Sequence, residues 1–238
     1  QVEGMHFFGD SIAAPVTNPN TIRFCLVLLA CMPLWISRVL DVEGAFLQGQ
    51  FVNGEVIYIG VPDGMEKYYG SRDDVVLLLN VPLYGTKQAA NCFYTSLRKS
   101  ASKRNYKRSR ADPCLYYIWT DGRLALFATW VDDIIVFGHP QDVDTIEKNL
   151  KEAFVCKSEG ELKEYVGSKI DVMRKSNGLA SVKITQPVLI QKLEDEFDVS
   201  TGKAPGTPAR PGEVLSKLHG GELLTSAAAT NYRSGTAT

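Results

Sequence analysis

With 238 residues, 45% of them hydrophobic and 22% charged, the chain can bury a real core as one large domain or two lobes, which excludes a mostly disordered protein. A net charge of −1 supplies no overall field for an anionic partner, so any such contact must come from local clustering. The longest apolar run, residues 24–36, falls well short of the ~20 residues a membrane span needs and is broken by Pro33, so no membrane partner is expected.

Residues 1–20 read as irregular, with Pro15, Asn18, Pro19 and Asn20. Thr21 is placed to cap a helix over 22–32, apolar nearly all round and so buried, with Arg23 near its start. A short apolar strand follows, carrying Asp41 near its end just before the small residues Gly44 and Ala45. Residues 55–61 alternate as a strand, Pro62-Asp63-Gly64 make a turn, 66–74 form an exposed loop, and 75–81 are a second strand. A helix over 86–97 puts Ala89, Cys92, Phe93 and Leu97 on one face. Asp121-Gly122 is a strong two-residue hairpin signal, so 115–119 and 123–131 should pair.

A second turn falls inside the apolar run 124–137, where Asp132 and Asp133 interrupt it. Residues 142–154 carry Val143, Ile146, Leu150 and Phe154 at helical spacing and should lie across the sheet. Strands over 162–172 and 179–184 are joined through Asn177-Gly178, and Thr185 and Pro187 start a helix with Leu189, Ile190, Leu193 and Phe197 on its apolar side. From residue 200 glycine and proline recur, which reads as a linker, and the domain division falls into 1–199 and 200–238.

Two adjacent acids at a hairpin tip are an odd choice, because unpaired like charges beside a buried sheet cost free energy unless a cation or solvent compensates them. A solvated tip with nothing bound is the plain alternative. For Asp41 the plain alternative is a helix N-cap. Together the three carboxylates supply what a two-metal phosphoryl-transfer site needs: hard oxygen ligands from different strands around two Mg²⁺ ions held ~3.5–4 Å apart.

Between residues 98 and 110 lie Arg98, Lys99, Lys103, Arg104, Lys107, Arg108 and Arg110, with Tyr106 among them and no acid. Without these seven, 19 basic residues face 27 acidic ones, a net −8, so one segment concentrates the positive charge. That pattern suits contact with a phosphate backbone, and a solvated helix end is its plain alternative. Cys25, Cys31, Cys92, Cys114 and Cys156 are odd in number and lack metal-ligand spacing, which suggests reduced, mostly buried thiols in an intracellular protein. His6, His139 and His219 are isolated, so a zinc site is not expected. The chain opens with Gln1 and shows no secretory leader, as a piece of a longer protein would.

Several motifs in order resemble the reverse transcriptase of copia-type LTR retrotransposons. They are Leu40-Asp41-Val42 through Ala45-Phe46-Leu47, then Leu83-Tyr84-Gly85-Thr86-Lys87-Gln88-Ala89-Ala90, then Trp130-Val131-Asp132-Asp133. Ala14-Pro15-Val16 with Arg23, Asp112-Pro113-Cys114-Leu115-Tyr116, Leu162-Lys163-Glu164-Tyr165-Val166-Gly167 and Thr185-Gln186-Pro187 extend the likeness over nearly the whole chain. Trp130 stands where most members have tyrosine, a larger ring beside the primer terminus that could alter rate or fidelity, and Thr86 stands where leucine is usual.

The resemblance implies an α/β (α+β) polymerase palm, a mainly antiparallel sheet backed by helices with a small fingers part and an incomplete thumb. It implies RNA-directed DNA polymerase activity, a nucleotidyl transfer to a primer 3′-hydroxyl. Asp41 and Asp132 would ligate both metals, Mg²⁺ or Mn²⁺, with Asp133 in support. Phe46 would lie under the sugar of the incoming nucleotide and exclude a 2′-hydroxyl, its plain alternative being a core phenylalanine. Tyr84, Gly85, Lys87 and Gln88 would meet nucleotide or template. Lys103, Arg104, Tyr106, Lys107 and Arg108 would follow the nucleic acid, and Tyr165, Val166 and Gly167 would grip the primer end.

Implied partners are an RNA or DNA template with primer, deoxynucleoside triphosphates, and the RNase H and integrase parts of a parent polyprotein. The implied location is a cytoplasmic virus-like particle. Two rival readings stand beside it: a truncated element that binds nucleic acid without catalysing, and another palm-like carboxylate enzyme such as a nucleotidyl cyclase, which would need no basic segment.

Overall fold

The computed structural model describes residues 12–52, 54–197 and 224–236. Two compact units divide the chain, Gln1–Leu162 with Val172–Val182, and Lys163–Asp171 with Lys183–Thr238.

The first unit is built on a six-stranded sheet. Its strands are β1 (Ile36–Val42), β4 (Lys107–Arg108), β5 (Leu115–Thr120), β6 (Arg123–Trp130), β7 (Asp133–Gly138) and β8 (Cys156–Gly160), in the order β4-β5-β6-β7-β1-β8. Every neighbouring pair is antiparallel. The turn between β5 and β6 is the expected Asp121-Gly122, with φ of +50° and +76°; two positive φ angles suit the right-handed twist of the strands it joins. β6 and β7 read as continuous apolar runs because both faces of the sheet are covered.

On one face Leu40, Val42, Phe127, Ile134 and Val136 join one core with Phe93 and Leu97 of α3 (Ala89–Lys103) and Val143, Ile146 and Leu150 of α4 (Pro140–Ala153). α1 (Pro19–Cys31) contacts β7, and Ile22, Cys25, Leu26 and Leu29 are its buried residues. Burial pushes the Cys25 thiol up to about 12 and those of Cys92 and Cys114 up to about 11, so these cysteines stay protonated.

α1 departs from expectation in two ways. Its cap is Asn18, whose side chain accepts from the Asn20 N–H, and Pro19 occupies the first turn where its missing N–H costs nothing. It is also apolar on a side that is not buried: Phe24 and Val27 are 55% and 58% exposed, because only one face of the helix meets the sheet. Its last turn carries no basic residue of its own. Instead Arg174 donates to the carbonyls of Leu29, Met32 and Trp35, capping the helix's C-terminal end from a distant part of the chain.

Three further elements differ from the sequence reading. The strands expected over 55–61 and 75–81 are only β2 (Tyr58–Gly60) and β3 (Val76–Leu78), an isolated antiparallel pair too short to bury both its faces. Within the expected loop, Glu66–Tyr69 form a helical turn, α2. α3 runs six residues beyond the expected end, carrying Arg98, Lys99 and Lys103 on helix rather than after it.

A three-stranded sheet has the order β11 (Ala180–Thr185), β10 (Ser168–Arg174), β9 (Glu164–Tyr165), with β9 pairing antiparallel to the start of β10. β10 starts later than expected because Val166 and Gly167, at φ +45° and +71°, turn the chain back on itself. α5 (Pro187–Phe197) begins at the expected proline, and α6 (Ser226–Thr236) is helical where composition suggested none. The linker residues 200–223 lie outside the described residues. Among the described residues no helix is long and apolar enough to cross a membrane.

Candidate active site

The acidic residues meet at one end of the six-stranded sheet. In the β1–β7 ladder Asp41 lies opposite Asp133, and the Val42 N–H donates to the Asp132 carbonyl at 3.0 Å just beyond it. Hydrogen-bonded and non-hydrogen-bonded pairs alternate along an antiparallel ladder, so the Val42–Asp132 bond makes Asp41–Asp133 a non-hydrogen-bonded pair. Such pairs bring Cβ atoms to ~4.5–5.5 Å on the same face.

Trp130 is the partner of Asp133 on β6, and Lys157 is the partner of Asp41 on β8. One row of the sheet therefore reads Trp130, Asp133, Asp41, Lys157. Lys157, which the sequence reading missed, brings a positive charge to this row; only the ladder register reveals it.

Asp132 sits in the turn itself, at the two residues between Trp130 and Asp133. The ladder thus pairs Asp41 with Asp133 and leaves Asp132 beside them in the turn. All three carboxylates are half-buried. Burial raises the Asp133 carboxyl above its ordinary range, and the charges of Asp132, Asp41 and Glu159 push it the same way. This excess of negative charge is what a bound divalent cation would relieve.

The tip is strained. Val131 takes φ +55° in the two-residue turn, a conformation that suits glycine and that a β-branched side chain adopts at a cost of ~1–3 kcal/mol. Such strain is concentrated where a chain must present particular groups, and the carboxylates of Asp132 and Asp133 follow Val131 directly.

Phe46 lies on a single 3₁₀ turn, Ala45–Gln48, entered through Gly44 at φ +55°. The turn is held from two sides. The Gln48 side chain accepts from the Val155 N–H at 2.7 Å and donates to the Val155 carbonyl at 3.0 Å, linking the turn to the start of β8. Gly49 lies flat on α3, where a Cβ would come within 2.9 Å of the Phe93 nitrogen, so no other residue fits without a shift. Phe46 is half-buried against the core, and its ring packs on Tyr84 at 4.6 Å between centroids. Tyr84 is itself exposed, as are Gly85 and Lys87. Gln88 is fully buried, and its amide donates to Glu55 at 3.4 Å, so its place is under this surface rather than on it.

The basic segment divides. Arg98, Lys99, Lys103, Lys107 and Arg110 are exposed, and among the described residues no ion pair engages them. Arg104 donates to Ser100 at 2.9 Å and approaches Glu152 at 3.7 Å, and Arg108 donates to the Tyr94 hydroxyl at 3.0 Å. Tyr106, expected at a nucleic-acid surface, is a core residue: it packs edge-on against Phe127, and its hydroxyl accepts from Asn149 at 2.7 Å. An aromatic within a basic run is read as exposed only because its charged neighbours are; Tyr106 lies just before β4 and turns into the core. In the second unit Tyr165 is buried, whereas Val166 is exposed on the tight turn with Gly167.

Among the described residues no three His, Cys, Asp or Glu side chains form a ready-made metal cage. Mg²⁺ needs only one or two protein carboxylates beside water and substrate phosphate, so an open carboxylate set with a charge excess fits it and does not fit zinc.

The class of structure is mixed α/β, with mostly antiparallel sheets backed by helices, as a reverse transcriptase domain fragment would have. The chain belongs to the reverse transcriptase (RNA-dependent DNA polymerase) family, whose model matches residues 1–211. It is 31% identical over 222 residues to the retrovirus-related Pol polyprotein from transposon RE1 of Arabidopsis thaliana, covering 92% of this chain and 14% of that protein. Similarity to the Pol polyprotein from transposon TNT 1-94 of Nicotiana tabacum is 29% over 219 residues, covering 91% of this chain and 16% of the other. The chain therefore spans about a sixth of the length of these relatives or less. No solved structure matches it.

Proposed function

We propose that this chain carries the polymerising centre of a copia-type retrotransposon: template-directed addition of a deoxynucleotide to a primer 3′-hydroxyl, with Asp41, Asp132 and Asp133 holding two Mg²⁺ or Mn²⁺ ions. The observation that carries this reading is the register of Asp41 opposite Asp133, next to Asp132. Bound there, the ions would lower the pKa of the primer hydroxyl and neutralise the triphosphate and the leaving pyrophosphate.

The chain's own residues do the rest. Asp41 and Asp133 stand at strand positions fixed by the ladder and Asp132 in the two-residue turn beside them, so their spacing needs no reorganisation. Phe46, braced by Gln48, Gly49 and Tyr84, presents a rigid ring edge where a ribose 2′-hydroxyl would collide. Lys87 offers a cation, and Gly85 an open backbone, to the nucleotide or template. The exposed Arg98, Lys99, Lys103, Lys107 and Arg110 draw the nucleic-acid backbone to this unit. Val166 and Gly167 present a tight turn to the primer end. The parent polyprotein's RNase H and integrase parts would be its working partners.

Primer extension on an RNA template with Mg²⁺ or Mn²⁺ tests the reading. Extension that Asp132→Asn abolishes supports the polymerase. RNA binding without any extension supports instead a non-catalytic element that binds nucleic acid, which Trp130 at the tip favours.

A further inference from the structure

A hydrogen bond is missing from the ladder just behind the acidic tip, and two residues without an assigned role replace it. β5 and β6 pair from Leu115 and Ala128 outward, and the Thr129 N–H donates to the Cys114 carbonyl at 3.1 Å. A regular ladder would return the bond from the Cys114 N–H to the Thr129 carbonyl. Here the Cys114 N–H donates to Asp112 Oδ1 at 2.8 Å instead. The Thr129 carbonyl is taken by the hydroxyl of Thr17, which is fully buried.

Asp112 is buried too. Its Oδ2 accepts from the Asn18 N–H at 2.9 Å and the Thr21 hydroxyl at 2.6 Å. One carboxylate thus ties the segment before α1 to the start of β5 and frees the carbonyl that Thr17 then satisfies. The same segment touches the tip: Ala14, Pro15, Thr129 and Val131 line one small cavity of about 20 Å³. Beyond Thr129 the hairpin has no β5 neighbour, so its strained turn is steadied on that side by this strap.

We propose that Thr17 and Asp112 are positioning residues that hold the acidic hairpin in register against Asp41. A buried carbonyl left without a donor is unfavourable enough to shift the strand that bears it. That shift would open the bond from Val42 to Asp132, the last one joining β1 to the tip.

Amide hydrogen exchange of Val42, measured residue by residue on the metal-free protein, reads this directly, with the Ile146 amide inside α4 as reference. Thr17→Val and Asp112→Asn should speed Val42 exchange about tenfold or more while Ile146 changes far less, and Thr17→Ser should stay near wild type. Should Thr17→Val fail to fold, Thr17→Ala carries the same expectation. Unchanged Val42 exchange, or equal acceleration at Val42 and Ile146, overturns the proposal. In primer extension, where the inference rests on the proposed function, Thr17→Val should lower kcat with the primer-template KM kept and Thr17→Ser should restore it. A wild-type chain that extends no primer counts against the proposed function and leaves the exchange result to decide this one.

Discussion

Replacing Asp133 with asparagine should stabilise the metal-free protein and remove its response to Mg²⁺. Asp133 and Asp41 are opposed in a non-hydrogen-bonded pair, with Asp132 adjacent. At ~5 Å and an effective dielectric constant of about 20, two full charges repel by ~3 kcal/mol. Both side chains are half-exposed, so solvent reduces this towards the ~0.2–1 kcal/mol typical of opposed like charges on a sheet. Asp133→Asn should therefore raise the melting temperature in EDTA by about 2–4 °C per kcal/mol gained.

The pH dependence has a definite sign. The folded carboxyl is raised, so the folded state keeps its proton to higher pH than the unfolded chain. Stability is lost as pH rises from the ordinary carboxylate range through the raised value, and the asparagine variant lacks that slope. Saturating Mg²⁺ should then lift the wild-type melting temperature and leave the variant's unchanged, reversing their order. An asparagine variant that melts lower in EDTA, or that gains as much from Mg²⁺ as wild type, would mean that Asp133 neither repels Asp41 nor helps to hold the ion.

Val131→Gly should raise stability by about 1 kcal/mol or more by relieving the positive φ, read by urea denaturation; a loss instead would mean that the turn is not strained. Phe46→Val should let primer extension accept ribonucleotides, and unchanged sugar discrimination would return Phe46 to a purely core role. Tyr106→Phe should cost about 1 kcal/mol through the lost bond from Asn149 while leaving RNA affinity unaltered. Combined Lys103→Ala and Lys107→Ala should weaken RNA binding and flatten its salt dependence; an equal slope would leave Lys107 only a guard of the exposed sheet edge and Lys103 a solvated helix end.

The strands around the tip were legible because their signals are local: Asp121-Gly122 sets one turn, and two acids in an apolar run set the next. That Asp41 belongs beside them was legible only through the ordered motifs, since no periodicity links residues ninety positions apart. Which of the paired acids faces Asp41 depends on register, and a shift by one residue exchanges the faces of a strand. Tyr106 and Gln88 were misplaced because residue type suggests a ligand contact whereas burial is set by the elements packed above them. Thr17 carried no sequence signal, and Asp112 stood only within one of the ordered motifs with no role attached, because what they do is fill one missing ladder bond. The all-round apolar helix at 22–32 was over-read: its sequence shows hydrophobicity, not how many neighbours the fold supplies.

Whether Asp41, Asp132 and Asp133 together bind the catalytic cations is read most directly by counting bound Mn²⁺ with electron paramagnetic resonance. With a chain-terminated primer on its template and the matching deoxynucleoside triphosphate, two Mn²⁺ should bind per chain above the nucleotide-only control, and both should be lost in Asp41→Asn. Mn²⁺ binding that is absent in the wild-type ternary mixture, or that survives Asp41→Asn undiminished, would contradict it.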